Sequence, residues 1–275
     1  MFLSAVILIL QELLEAALLI SMLLVLMSVL RQRWPGFFNV ALSWVLGAIA
    51  VGLAGAWCYA LLTPLVSTWF DYVGYEVING ALQFVTIACL VVFCYALNPG
   101  LAPARWQARA GVAAVSMIVA VALGIVREGS EVILYVQGIV GQPENISPVM
   151  LGALMAAGIG TSSGLVLFHS LGLLPQQWTF RVAILLLGLF AGNMAAQAVQ
   201  QLTQADWLPF TAQLWDSSGF IAESGISGKL LYALVGYEAN PSLLQLVAYL
   251  AALILVALSP LFRSAWVPAS KAEGA

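Results

Sequence analysis

The stretch Leu3–Leu30, LSAVILILQELLEAALLISMLLVLMSVL, decides the architecture. It is longer than the about 20 mostly apolar residues that cross a bilayer as a helix, and only Glu12 and Glu15 in it are charged. It has no basic start and no obvious small-residue cleavage site, and it outruns a signal peptide, so it reads as a retained span. Similar runs follow at about 38–63, 76–97, 112–139, 148–172, 179–200 and 243–262. Between them lie Arg31–Gly36, Thr68–Gly74, Asn98–Arg109, Gly141–Pro148 and Leu174–Gln177, rich in turn-forming and polar residues. The prediction is an all-α integral membrane protein of seven transmembrane helices. Continuous rather than alternating apolarity excludes an outer-membrane barrel.

Composition agrees. The 275 residues are 63% hydrophobic and 8% charged, with mean hydropathy +1.02, whereas soluble domains carry about 25% charged residues. A nucleic-acid binder would need a basic face, and a disordered chain would be charge-rich. Three cysteines are too few, and odd in number, for a disulfide-stapled module.

The bases set the orientation. Arg31, Arg33, Arg105, Arg109, Arg181, Arg263 and Lys271 fall in alternate connections, which the positive-inside rule places in the cytoplasm. The other connections hold Asp71, Glu76, Glu144, Asp206, Asp216, Glu223 and Glu238 against Lys229. The N-terminus is therefore expected outside and the C-terminus inside. The long outer connection carries Trp207, Phe210, Trp215, Phe220 and Tyr232. It reads as a re-entrant or interfacial segment, or as a docking surface for an external partner.

Two motifs place acids inside spans: Gln11-Glu12-Leu13-Leu14-Glu15 and Arg127-Glu128-Gly129-Ser130-Glu131. Each sets two glutamates at i,i+3, on one helix face. At roughly 2.5–3.5 kcal/mol for each mid-span charge, four unpaired carboxylates would cost about 10 kcal/mol or more. Arg127 neutralises one of them. Protonation or a bound cation must handle the others, and four acids against one base do not read as structural ion pairing alone.

Glu12 to Glu128 and Glu15 to Glu131 share an offset of 116 residues. Spans 1–3 and 4–6 enter from opposite sides, so the chain reads as a 3+3 inverted repeat with a site near the midplane. Residues 1–275 form one transmembrane domain: repeat 1 at about 1–100, repeat 2 at about 110–200, an outer loop at 201–242 and an extra helix at 243–262. Oxygen-only ligands suit a hard, highly charged cation. Cys58, Cys89 and Cys94 form no CxxC and read as small buried hydrophobes. His169 reads as a packed or interfacial residue, or as a relay group.

These residues resemble a known family. Two Arg-Glu-Gly-x-Glu motifs, in the first and fourth of seven helices, characterise the oxidase-linked high-affinity iron permeases of fungi and bacteria. Arg127-Glu128-Gly129-Ser130-Glu131 is similar to that motif at every defined position. The first motif keeps both glutamates, with Gln11 for the arginine and Leu13 for the glycine. Gly236-Tyr237-Glu238 extends the likeness. The family's Glu-x-x-Glu-Gly pattern reads here as Glu76-Val77-Ile78-Asn79-Gly80, with Asn79 for the second acid.

The resemblance implies a multi-pass permease of the cytoplasmic membrane that imports ferric iron. A separate periplasmic oxidase or iron-binding proteins would be its partners. Iron would be the transported substrate, with no permanently bound cofactor and no ferroxidase chemistry in this chain. Glu12, Glu15, Glu128 and Glu131 are expected to hold the metal, with Arg127 as counter-ion and Gln11, Gly129 and Ser130 in support. Glu76, Asn79, Asn193 and Gln197 are expected along the entry path. Alternatives are a transporter of another hard or divalent cation, a proton-coupled exchanger, or a non-transporting sensor. Gly225-Ile226-Ser227-Gly228 also has the Gly-x-Ser-Gly form of rhomboid intramembrane proteases, but no histidine follows it.

Overall fold

The computed structural model describes residues 2–33, 41–97, 103–140, 143–222 and 225–260. The connections expected around Gly36, Asn98 and Gly141, with Glu223, Arg263 and Lys271, lie outside the described residues. The helices are α1 (Phe2–Arg33), α2 (Ala41–Val66), α3 (Trp69–Tyr72), α4 (Gly74–Ala96), α5 (Pro103–Val140), α6 (Pro143–Gly172), α7 (Gln176–Gln204), α8 (Ile226–Val235) and α9 (Leu243–Leu258). Among the described residues there is no strand, only an isolated bridge between Gln213 and Ser242.

Six helices are long and apolar enough to cross a membrane, through Ala5–Val29, Ser43–Val66, Gly74–Ala96, Gly111–Ile139, Ile146–Gly172 and Gln176–Gln204. They fit a multi-pass membrane protein. The helix expected at 243–262 is α9, a 16-residue element. At 1.5 Å per residue it reaches about 24 Å, short of a hydrocarbon core about 30 Å thick. Two connections are shorter than the sequence suggested. Pro103 and Pro143 open α5 and α6, because proline fits the first helical turn, where its missing N–H is not needed. Arg105 and Arg109 thus belong to α5 rather than to a loop.

Between α2 and α4 the chain turns through left-handed backbone at Phe70, Asp71 and Tyr72, with φ of 52°, 62° and 71°. None is glycine, so the turn is strained. Phe70 meets Trp207 edge-on at 5.3 Å.

The helices pack in a crossed order. α1 lies along α6 and α2 along α5, while α1, α4, α5 and α7 meet at the centre and α9 rests on α7. α7 is the most buried span; α2 and α6 are the least. They present Trp44, Leu53, Trp57, Leu61, Leu151, Leu154 and Leu165 outward, an apolar surface far larger than a soluble monomer tolerates.

The interior is divided by polarity along its length. Leu18–Met27 of α1, Ile87–Leu97 of α4, Ala113–Ile125 of α5 and Ala183–Phe190 of α7 supply a continuous apolar core. Beyond it lie the buried Glu12, Glu15, Asn79, Gln83, Arg127, Glu128, Asn193 and Gln197. One end of the bundle is thus sealed by hydrocarbon, and the other is polar inside.

Candidate carboxylate site

Glu12 and Glu15 occupy one face of α1, and Arg127, Glu128 and Glu131 the facing part of α5. Arg127 is 6% exposed, Glu12 7%, Glu15 1% and Glu128 4%. Bulk water therefore cannot supply the solvation these charges lose. Arg127 sits among three carboxylates. Its Nη1 lies 2.6 Å from Glu128 Oε1 and 3.6 Å from Glu15 Oε2, and its Nη2 lies 3.6 Å from Glu131 Oε1. The fourth acid, Glu12, is buried beside Glu128 and within electrostatic reach of Glu131, Glu15 and Arg127.

The four acids are brought together as the sequence suggested, but around the guanidinium. Among the described residues no three His, Cys, Asp or Glu side chains are gathered so as to hold a metal ion. The physical reason is Arg127, whose contacts to Glu15, Glu128 and Glu131 keep those acids around a resident cation. Several buried polar atoms have no hydrogen-bond partner: Glu15 Oε2, Glu128 Oε2, Arg127 Nε, Asn79 Nδ2, Gln83 Oε1 and Gln197 Nε2. An unpaired buried polar group costs about 1–3 kcal/mol.

The supporting residues divide. Ser130 donates its hydroxyl to the Arg127 carbonyl at 2.7 Å, so it serves the helix rather than the acids. Gly129 packs on α2: a Cβ built there would stand 3.0 Å from that of Ala56. Leu13, 116 residues before Gly129, has its small neighbour on the facing helix instead. A Cβ on Gly160 of α6 would stand 3.0 Å from the Leu13 Cβ, so α6 supplies the small residue and the close approach of helices survives.

Gln11 lines a cavity shared with α7, α8 and α9. Asn79 accepts from the Tyr59 hydroxyl at 3.1 Å, and Glu76 lies in the first turn of the same helix, partly buried. Gln197 accepts from Gln83 Nε2 at 2.9 Å. Asn193 differs from expectation. It donates to the Tyr232 carbonyl at 3.2 Å and packs under Gly236, whose positive φ of 69° ends α8. A Cβ at Gly236 would meet the Asn193 Cβ at 2.8 Å. Asn193 therefore clamps α8 onto α7, its amide adding a second donor to a helix-end carbonyl that also accepts from the Gly236 N–H at 2.8 Å.

Gln83, Tyr75 and Tyr232 belong to the same polar region, although the motifs did not single them out. Gln83 follows Asn79 by four residues, as Gln197 follows Asn193, and that parallel was readable in the sequence. His169 is exposed on α6, its Nδ1 2.8 Å from the Leu165 carbonyl. Ser227 is exposed on α8. Cys58 is exposed, Cys89 half-buried and Cys94 buried, all free.

No protein-family model matches the chain, and no curated protein or solved structure matches it.

Proposed function

We propose that this chain is a permease that carries a hard, highly charged cation, ferric iron, across the cytoplasmic membrane. A separate external oxidase or iron-binding protein would deliver the ion. The observation that carries the reading is the convergence of four glutamates from α1 and α5 on one buried arginine. With Glu12 included, the cluster holds four acids against one base, and buried charges are retained where they are paired or functional.

In this reading Arg127 stands in for the cargo. It holds the empty carboxylates in place and yields its position when the ion arrives. Carboxylate oxygens suit a trivalent hard cation better than a soft one. The orphaned amide atoms of Asn79, Gln83 and Gln197 supply hydrogen-bonding capacity for the ion's remaining water.

The inverted repeat is part of the proposal. The pairing of α1 with α6 is answered by that of α5 with α2, and α4 meets α7, as an exchange of the two halves requires. The bases in alternate connections put the N-terminus outside and the polar end of the bundle toward the exterior. The inner end is then closed by the apolar core, and transport requires that core to part in a second conformation.

Iron uptake in cells lacking other importers tests the reading. Glu128→Ala or Glu131→Ala should abolish uptake while leaving the protein in the membrane at normal level. Uptake at the parent rate in both variants would reject it.

A further inference from the structure

A cavity of about 320 Å³ opens among α1, α7, α8 and α9, lined by Gln11, Gln200, Lys229, Tyr232, Glu238 and Gln245 among others. Its walls are mostly side-chain amides, with one carboxylate and one ammonium group. The carboxylate is held in place: Gln245 Nε2 donates to Glu238 Oε2 at 2.7 Å. Gln245 in turn closes the capping box that starts α9, its backbone N–H donating to Ser242 and its side-chain oxygen accepting from the Ser242 N–H. Glu238 is thereby tied to the capped start of α9.

The cavity lies next to the segment of α1 that carries the acids. Gln11 in its wall precedes Glu12, and Tyr232 lies in the electrostatic field of Glu15, Arg127, Glu238 and Glu12 at once. Burial holds the Tyr232 hydroxyl well above the usual phenol range, with Glu15 pushing the same way and Arg127 opposing. It stays a neutral hydroxyl. α8, which carries both Lys229 and Tyr232, is fixed by Asn193 and by the Tyr249 hydroxyl, which donates to the Val235 carbonyl at 2.7 Å.

The offset of 116 that relates the glutamate pairs also relates Gln11 to Arg127. The first half lacks the second half's cation at that position. Lys229 lines the same cavity as Gln11 and brings a positive charge there from a different helix.

We infer that this cavity is the entry station for the cation, with Glu238 as its anionic ligand, Lys229 as the counter-ion the cargo displaces, and Tyr232 as the side chain it passes toward Glu12. The ligand class is a hard, oxygen-seeking multivalent cation that keeps part of its water shell, which the amides of Gln11, Gln200 and Gln245 can hydrogen-bond. The inference rests on the permease reading for its direction of travel; its binding chemistry does not.

Terbium(III), a hard trivalent cation whose luminescence is excited through nearby tyrosines, tests it on the full-length protein in micelles. The background is Glu128→Gln/Glu131→Gln, which removes two acids of the central site. One luminescent class should persist there. Adding Glu238→Gln should weaken it about tenfold or more, and Lys229→Gln should tighten it a few-fold. Glutamine at 238 can still accept from Gln245, so the fold is preserved. Unchanged titrations in both Glu238→Gln and Lys229→Gln would overturn the station. In flux, Glu238→Gln should raise the half-saturating iron concentration about tenfold and hold the saturated rate within about twofold. Normal transport by Glu128→Gln would defeat the permease site alone, since the terbium titration judges the cavity independently.

Discussion

Gln83 on α4 donates its Nε2 to Gln197 Oε1 on α7 across 2.9 Å, and the two residues stand 114 apart in the chain. Asn79 and Asn193 share that offset. The bond therefore ties α4 to α7 through two buried amides beside Glu15.

Removing one amide should cost more than removing both. Gln83→Leu leaves Gln197 with no partner, a penalty of about 1–3 kcal/mol. The Gln83→Leu/Gln197→Leu double variant strands neither. Unfolding of the purified protein in micelles should show the double variant less destabilised than the sum of the singles. Strict additivity would mean that the pair is not coupled.

Arg127 gives the opposite asymmetry between stability and affinity. Breaking a buried pair by removing one partner costs about 3–5 kcal/mol, and here the arginine serves three acids. Arg127→Gln should therefore melt well below the parent in the absence of metal. Adding a trivalent cation should raise its melting temperature more than it raises the parent's, because the ion no longer competes with a guanidinium. A smaller shift in the variant would show that Arg127 helps to hold the ion rather than standing in its place.

Much of this was legible in the sequence. Apolar runs located the six long helices because a bilayer demands length, and i,i+3 spacing put each glutamate pair on one face. What sequence spacing does not encode is the direction a side chain takes between helices. Arg127 could be paired with some acid, but its simultaneous approach to Glu15, Glu128 and Glu131 depends on how α1 meets α5. Asn193 was indistinguishable from a path-lining amide until α8 was seen beneath it. The ten residues of α8 and the 16 of α9 fall below the length at which hydropathy alone separates a span from a surface helix. Leu13 is the clearest case: a departure within one motif is balanced by Gly160 on another helix, which no reading of the motif alone reveals.

That balance predicts a rescue. Gly160→Ala places a Cβ 3.0 Å from the Leu13 Cβ, closer than packed side chains accept, and overpacking of this kind costs about 1–3 kcal/mol. Leu13→Gly in the same chain removes the obstructing atom. The double variant should recover most of the lost melting temperature in micelles. If Gly160→Ala alone melts like the parent, α1 and α6 slide apart at no cost, and the close approach is not what holds them.

The burial of Glu12 beside Glu128 makes a prediction about protons. Four carboxyl groups, three of them buried, against one guanidinium cannot all stay charged without a further cation, while a cation is bound by carboxylates. Cargo and proton therefore exclude one another in this cluster. Binding of a trivalent ion should release protons into a weakly buffered solution, and raising the proton concentration should weaken binding. Glu12→Gln removes one titratable carboxyl from the cluster while keeping its size. It should reduce the proton release per ion bound and flatten the pH dependence, even where some affinity survives. Titration of the parent and of Glu12→Gln with a pH indicator dye, alongside terbium binding, measures both quantities. Equal proton release in the two proteins would place the displaced proton elsewhere and remove Glu12 from the exchange.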